Sequence, residues 1–360
     1  MNASGWRAVG VRSSIVDPLP RFSGWAGRLI PGCTIHVPLK EKTQTQMGNR
    51  PMRIVSLLPG ATEIIWALGL EDHLVGVSHE CDFPPEVVAR LPRLTRSTLP
   101  EGLTDPAAID AAVREKARRG EPLYIVDEEQ LAALEPDLIL TQALCEVCAV
   151  PMGQATRASG RLRRPPRIIA VNTYRLEDLF ESLQEIADAA GVPERAAHRV
   201  REWRSRLARV EAAIAGAPRP RVLLLEWLDP PFCCGHWVPE MVEIAGGTEV
   251  LGRPGEPSRR VRWEEVLEAE PEVIGLIPCG YPLSEAVAAR HLLERLPFWE
   301  WIPAVQRGKV YAMEASAYFS RPGPRTIDGI ELLAALLHPD RFHTPLVEQA
   351  AQRLSHPTLS

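Results

Sequence analysis

The chain has 360 residues, 45% of them apolar and 24% charged, with a net charge of −5 and a pI near 6.0. This is the composition of a soluble globular chain long enough for two domains. The acidic balance disfavours a nucleic-acid partner, and no apolar run reaches the roughly 18 residues that span a bilayer.

A secretory leader needs a charged start, an apolar segment and a cleavage site. The opening stretch "RAVGVRSSIVDPLPRFSGWAGRLIPGC" is instead broken by prolines and charges. Residues 1–52 are therefore expected to be a tail or a mis-assigned start, with Met47 and Met52 as alternative beginnings. As written the chain is expected in the cytoplasm; with a mis-assigned start it belongs in the periplasm or at the cell surface.

Residues 53–175 read as a first α/β lobe. "MRIVSLLPGATEIIWALGL" is a short buried strand, a turn, and a helix stopped by Gly69. "HLVGVS" is a second strand. "PLYIVDEEQLAALEPDLILTQ" is a strand-like piece, an amphipathic helix and a strand at 138–141. "RIIAVN" is a further strand. Short Val/Ile/Leu runs alternating with helices predict a parallel sheet covered on both faces.

Residues 176–217 read as a helical linker. "RLEDLFESLQEIADAAG" is one helix, and "ERAAHRVREWRSRLARVEAAIAG" is a long one with no internal breaker. Residues 218–342 repeat the α/β rhythm, with strands in "VLLLEWL", "EVIGLIP" and "KVYAM" and a last helix in "RTIDGIELLAALLHP". Residues 343–360 are polar and expected to be a second tail. "DEEQLAALEPDLIL" and "RWEEVLEAEPEVIGL" are a weak internal repeat. The expected fold is α/β: two lobes with mainly parallel sheets, joined by one long rigid interdomain helix.

Ligands of open parallel sheets bind beyond the C-terminal strand ends. There the sequence places "SHECDFPPE", "QALCEVCA", "DPPFCCGHW", "PCGYP" and "EASAYFSRPGP". His79, His236, Trp237, Tyr281, Tyr318, Phe319 and Arg321 all fall in these segments, as do six of the seven cysteines. Cys145 and Cys148 have Cys-x-x-Cys spacing, open to three readings: a redox pair, half a metal site, or pocket lining. Glu146 between them would raise a thiol pKa, which argues against redox work. A metal site for zinc or iron would be Cys81, Cys145, Cys148 and Cys279, with His79 or His236. Cys233 and Cys234 are adjacent and should point to opposite sides of a strand. No Gly-x-Gly-x-x-Gly, Walker or Gly-x-Ser-x-Gly motif is present, and "LLPGATE" has one glycine and no lysine for a phosphate.

Together, "SLLPGATEIIWALGLEDHLVGVSHECDFPPE", "LAALEPDLILTQ", "EWLDPPFCCGHWVPEMVEIAGG", "RWEEVLEAEPEVIGL" and "AYFSRPGPR" resemble the helical-backbone (class III) periplasmic binding proteins of cobalamin and iron-siderophore importers. The likeness is closest to the cobalamin binders, in a signal-less subgroup rich in cleft cysteines. It implies two lobes clamping a ligand without catalysis. It also implies His79, Phe83, Phe232, Trp237, Tyr318 and Phe319 as ligand contacts, and Glu129 and Glu264 as carboxylates that dock on an ABC permease. Helix-dipole stabilisation explains those two acids equally well. The expected function is a monomeric protein that binds cobalamin or a related metal chelate. The alternatives are a cytosolic metal-dependent enzyme or metal-handling protein using the Cys/His cluster, and a scaffold that only docks a partner.

Overall fold

The structure, a computed structural model, describes residues 46–47, 50–142, 150, 152–160 and 162–354, which fall within one compact unit, Gln44–Ser360. In the first lobe the elements are β1 (Ile54–Ser56), α1 (Pro59–Ala67), β2 (Leu74–Val77), β3 (Thr95–Ser97), α2 (Pro106–Arg119), β4 (Tyr124–Val126), α3 (Glu128–Leu134), β5 (Leu138–Thr141) and β6 (Arg167–Ala170). Four strands form a parallel sheet in the order β2-β1-β5-β6. β1 and β5 are buried along their whole length, the reason they read as unbroken apolar runs. The "LYIV" piece lies outside that sheet: as β4 it pairs antiparallel with β3 in a separate two-stranded ribbon.

Two helices follow, α4 (Leu176–Ala189) and the 22-residue α5 (Pro193–Ile214). At about 1.5 Å per residue α5 is a rod of about 33 Å. It buries Ala196, Trp203, Leu207, Val210 and Ile214, one stripe at three- and four-residue spacing.

The second lobe holds β7 (Arg221–Leu228), β8 (Pro231–Cys233), α6 (Val238–Ile244), β9 (Arg259–Arg260), α7 (Trp263–Glu268), β10 (Val273–Leu276), β11 (Val310–Met313), α8 (Thr326–Leu337) and β12 (Ala351–Arg353). Its sheet runs β9-β8-β7-β10-β11-β12, with β7, β10 and β11 parallel. Strands β8, β9 and β12 pair antiparallel at its flanks.

The helix α5 is tied to both lobes. Arg199 donates to the Ala67 carbonyl at 2.8 Å, and Arg195 to those of Leu68 and Gly69 at 2.8 and 3.0 Å. Arg206 grips Glu331 of α8 through two bonds, at 2.9 and 2.8 Å, and pairs with Asp328.

Both expected tails need correction at their inner ends. Gln46–Met47 pairs antiparallel with Arg50–Pro51, and Met52 is buried; residues 1–45 lie outside the described residues. Beyond Phe342, Leu346–Ala350 is helical and β12 hydrogen-bonds to β11. Edge pairing to a neighbour orders Ala351–Arg353, whose own sequence has no strand pattern. Among the described residues, no helix is long and apolar enough to cross a membrane.

Candidate functional site

The loops beyond the C-terminal strand ends of one lobe meet those of the other. The first meeting place is a seam between "LLPGATE" with "HECDF" and "SRPGPR". Glu63 on α1 is almost fully buried and is held by Arg325 through bonds of 2.6 and 3.1 Å. Burial pushes the Glu63 carboxyl up, against the opposing pull of Arg325. Arg321 pairs with Asp82 and donates to the Glu80 carbonyl at 3.2 Å. The Arg325 guanidinium lies 4.2 Å from the centre of the Phe83 ring, and the Trp66 and Phe83 rings meet in a T shape with their centres 5.2 Å apart. Gly60 fits only because it is glycine: a Cβ there would sit 2.3 Å from the Pro322 carbonyl oxygen. The "LLPG" glycine serves a close approach of two loops, not a phosphate.

A second meeting place joins the end of β6 to the start of α6. The Tyr174 and His236 rings are 5.9 Å apart, Arg175 donates to the Pro254 carbonyl at 3.2 Å, and Glu240 accepts from the Leu176 amide at 2.8 Å. His236 takes a positive φ of 53°, and burial lowers its pKa. Trp237 is buried in the core beside it, as is Thr173 next to Tyr174; Trp237 Nε1 and Thr173 Oγ1 lack hydrogen-bond partners among the described residues.

Other polar and aromatic groups lie at the strand ends of each lobe. In the first, His79 Nδ1 is 2.7 Å from Thr95 Oγ1, which also accepts from the His79 amide at 2.9 Å. His79 Nε2 lies 3.2 Å from the Glu80 carboxylate, and this contact with His79 holds the Glu80 carboxyl below its usual range. The Tyr124 ring is 5.6 Å from His79. In the second lobe Phe232 is the direct cross-strand partner of Trp227, so their side chains share a face. Tyr281 meets Trp227 edge-on at 5.7 Å. Phe232, Trp227 and Tyr281 thus form a half-buried aromatic wall. Trp227 and Glu63 were missed from sequence; Trp227 carried a signal, as the one aromatic side chain of a largely buried strand.

Several expected contacts are placed elsewhere. Phe319 is 1% exposed and belongs to the core. Tyr318 is half-buried beside the seam, and burial pushes its phenol up. Arg321 is taken up by the other lobe. Cys234 packs in one core cluster and Cys233 in another, so the pair does face opposite ways. Cys81 is buried against Thr62 Oγ1 at 3.1 Å, and burial raises its thiol pKa, whereas Cys279 is exposed. Cys145 and Cys148 lie outside the described residues. Among the described residues no three His, Cys, Asp or Glu side chains converge on a point that would hold a metal, so the Cys/His cluster expected for zinc or iron is not assembled by them.

Two α/β lobes, a spine helix bonded to both and aromatic groups at facing strand ends define a two-lobed ligand-binding protein. A family model described as periplasmic binding protein matches residues 54–317, more than half of the chain, and the chain belongs to that family. The vitamin B12-binding protein of Vibrio cholerae is 27% identical over 290 residues, covering 79% of this chain and 88% of that protein. The crystal structure of the periplasmic vitamin B12 binding protein BtuF of Vibrio cholerae superposes with a TM-score of 0.57 at 25% identity, over 80% of this chain and 96% of that one. A periplasmic heme binding protein from Pseudomonas aeruginosa shares the fold, with a TM-score of 0.61 at 23% identity over 82% of this chain and 97% of that one. An uncharacterized ABC transporter substrate-binding lipoprotein of Bacillus subtilis, YvrC, is 23% identical over 301 residues, 82% of each chain.

Proposed function

We propose that the protein binds cobalamin or a related metal-chelate macrocycle between its lobes and presents it to an ABC permease, from the periplasm or the cell surface. The observation that carries this is the relationship to the Vibrio cholerae vitamin B12-binding protein across 88% of that protein's length. The aromatic wall of Trp227, Phe232 and Tyr281 supports it, because a flat macrocycle with apolar faces is held by aromatic area. Polar groups such as His79 and His236 would fix its orientation. A role as a metal-dependent enzyme gains no support, since its ligand set is not assembled among the described residues.

Titration with cyanocobalamin and with haemin, followed by absorbance and calorimetry, tests the reading. A one-to-one response at or below about 10 μM is expected, an affinity of about 7 kcal/mol; silence towards both removes the proposal. Glu129 and Glu264 are both exposed, each the second residue of its helix, α3 and α7. We assign them the permease-docking role. Reversing both charges should abolish association with the permease and leave ligand affinity unchanged; loss of ligand affinity would refute the assignment.

A further inference from the structure

The ribbon β3–β4 carries a long excursion. Thr95 pairs with Val126 and Ser97 with Tyr124, and the Thr98 amide extends the ladder to the Leu123 carbonyl at 2.9 Å. Residues 99–122 therefore leave the first lobe and return to it at one point. Their base clasps His79 through Thr95 Oγ1 and the Tyr124 ring. Their far end touches the other lobe, where Trp227 Nε1 donates to the Pro106 carbonyl at 3.3 Å, shared with Asp229 at 3.1 Å. The excursion thus starts beside one candidate ligand contact and lands on the aromatic wall that holds two others.

Its helix α2 is sharply delimited. The Asp105 carboxylate accepts from the Ala108 amide at 2.8 Å, Pro106 opens the helix, and Gly120 closes it at φ 65°. Yet none of its residues is fully buried. Ile109, Ala112 and Val113 form an apolar stripe that the protein covers only in part. A helix of a globular protein ordinarily closes its apolar stripe against the core.

We propose that residues 98–123 are a strap across the ligand cleft, and that the half-covered stripe of α2 is a wall completed by the apolar face of the bound macrocycle. The occupant's identity depends on the function proposed above; the docking of the strap on the second lobe does not. The strap would have to lift for the ligand to enter or leave, so it sets residence time and excludes ligands too thick to fit beneath α2.

The test excises Leu99–Pro122 and joins Thr98 to Leu123 through Asn-Gly, a two-residue turn suited to an antiparallel ribbon. Cyanocobalamin and haemin are the probes, with stopped-flow dissociation as the readout. Dissociation should quicken by at least roughly tenfold, as affinity changes at one site fall mostly on the off-rate. Off-rates within about twofold of the parent overturn the proposal. If the excised chain does not fold, Ile109→Ser with Val113→Ser, at half-covered positions on α2 itself that leave the aromatic wall intact, should still quicken release measurably; an unchanged rate counts against the strap. Should the intact protein bind neither probe, the proposed function falls, and hydrogen exchange of the free protein decides the strap. Excision should deprotect the backbone around Trp227 and Tyr281, and unchanged protection there overturns the docking.

Discussion

The two lobes share one local unit. In the first, α3 ends on Glu135 at φ 42°, the Asp137 carboxylate accepts from the Arg53 amide at 2.9 Å, and Arg53 donates to the Leu134 carbonyl at 2.6 Å. In the second, α7 is followed by Glu270 at φ 43°, Glu272 accepts from the Arg221 amide at 3.0 Å, and Arg221 donates to the Ala269 carbonyl at 3.0 Å. Even the left-handed glutamate is reproduced. The strand ends are not: one lobe offers His79, its ribbon and the strap, the other an aromatic wall. Where the lobes copy each other they carry the fold, and where they differ they carry the seam and the site.

The largest expected effect breaks the seam. Arg325→Ala leaves Glu63 buried without its partner, which should cost roughly 3–5 kcal/mol, and the lobes should then unfold as separate steps in urea. A loss under about 1 kcal/mol would mean the pair is solvated and the seam open. Gly60→Ala is sharper, because alanine is the better residue inside a helix. Its Cβ must displace the Pro322 carbonyl, so a loss of about 1–3 kcal/mol is expected. A gain in stability would show the loops apart.

A pH effect should come from the second lobe. Burial pushes the Glu249 carboxyl up to about 7 from an ordinary 4.5. A raised folded value favours the protonated form, so this stabilisation is complete below about 4.5 and is lost as pH rises through about 7. Unfolding free energy should fall by about 1–3 kcal/mol between about pH 5 and pH 8. Glu249→Gln should flatten that slope, and a slope that survives assigns it to another group. The smallest effect tests the symmetry itself. Glu135→Gly and Glu270→Gly each relieve a left-handed side chain and should stabilise by similar amounts, about 0.5–1 kcal/mol. Unequal gains in thermal midpoint would end the equivalence of the two units.

The parallel core was legible because burial on both faces demands unbroken aliphatic runs; Leu138–Thr141 was placed to the residue. Elements whose order comes from partners were not. Thr95–Ser97 is polar throughout, β12 reads Ala-Gln-Arg, and α2 has only a short stripe. The α2 boundaries were nevertheless written in Asp105, Pro106 and Gly120, an acidic cap, a proline start and a glycine stop. The site was legible as a region but not by residue. Sequence cannot say that Phe319 turns inward while Tyr318 does not, nor that Arg321 and Arg325 find their carboxylates in the other lobe.

Helix α1 lies between two fixed points. Its N-terminal half is held at Gly60 and Glu63 by Pro322 and Arg325 of the second lobe, and the carbonyls of Ala67 and of the two residues after it are pinned by Arg199 and Arg195 of α5. Nine residues, about 13 Å of helix, act as a strut between seam and spine. With spine, strut and second lobe bonded to one another, the frame is triangulated. A push on any one member is carried to the others without slack, so the parts left free to yield are those outside the triangle, foremost the strap.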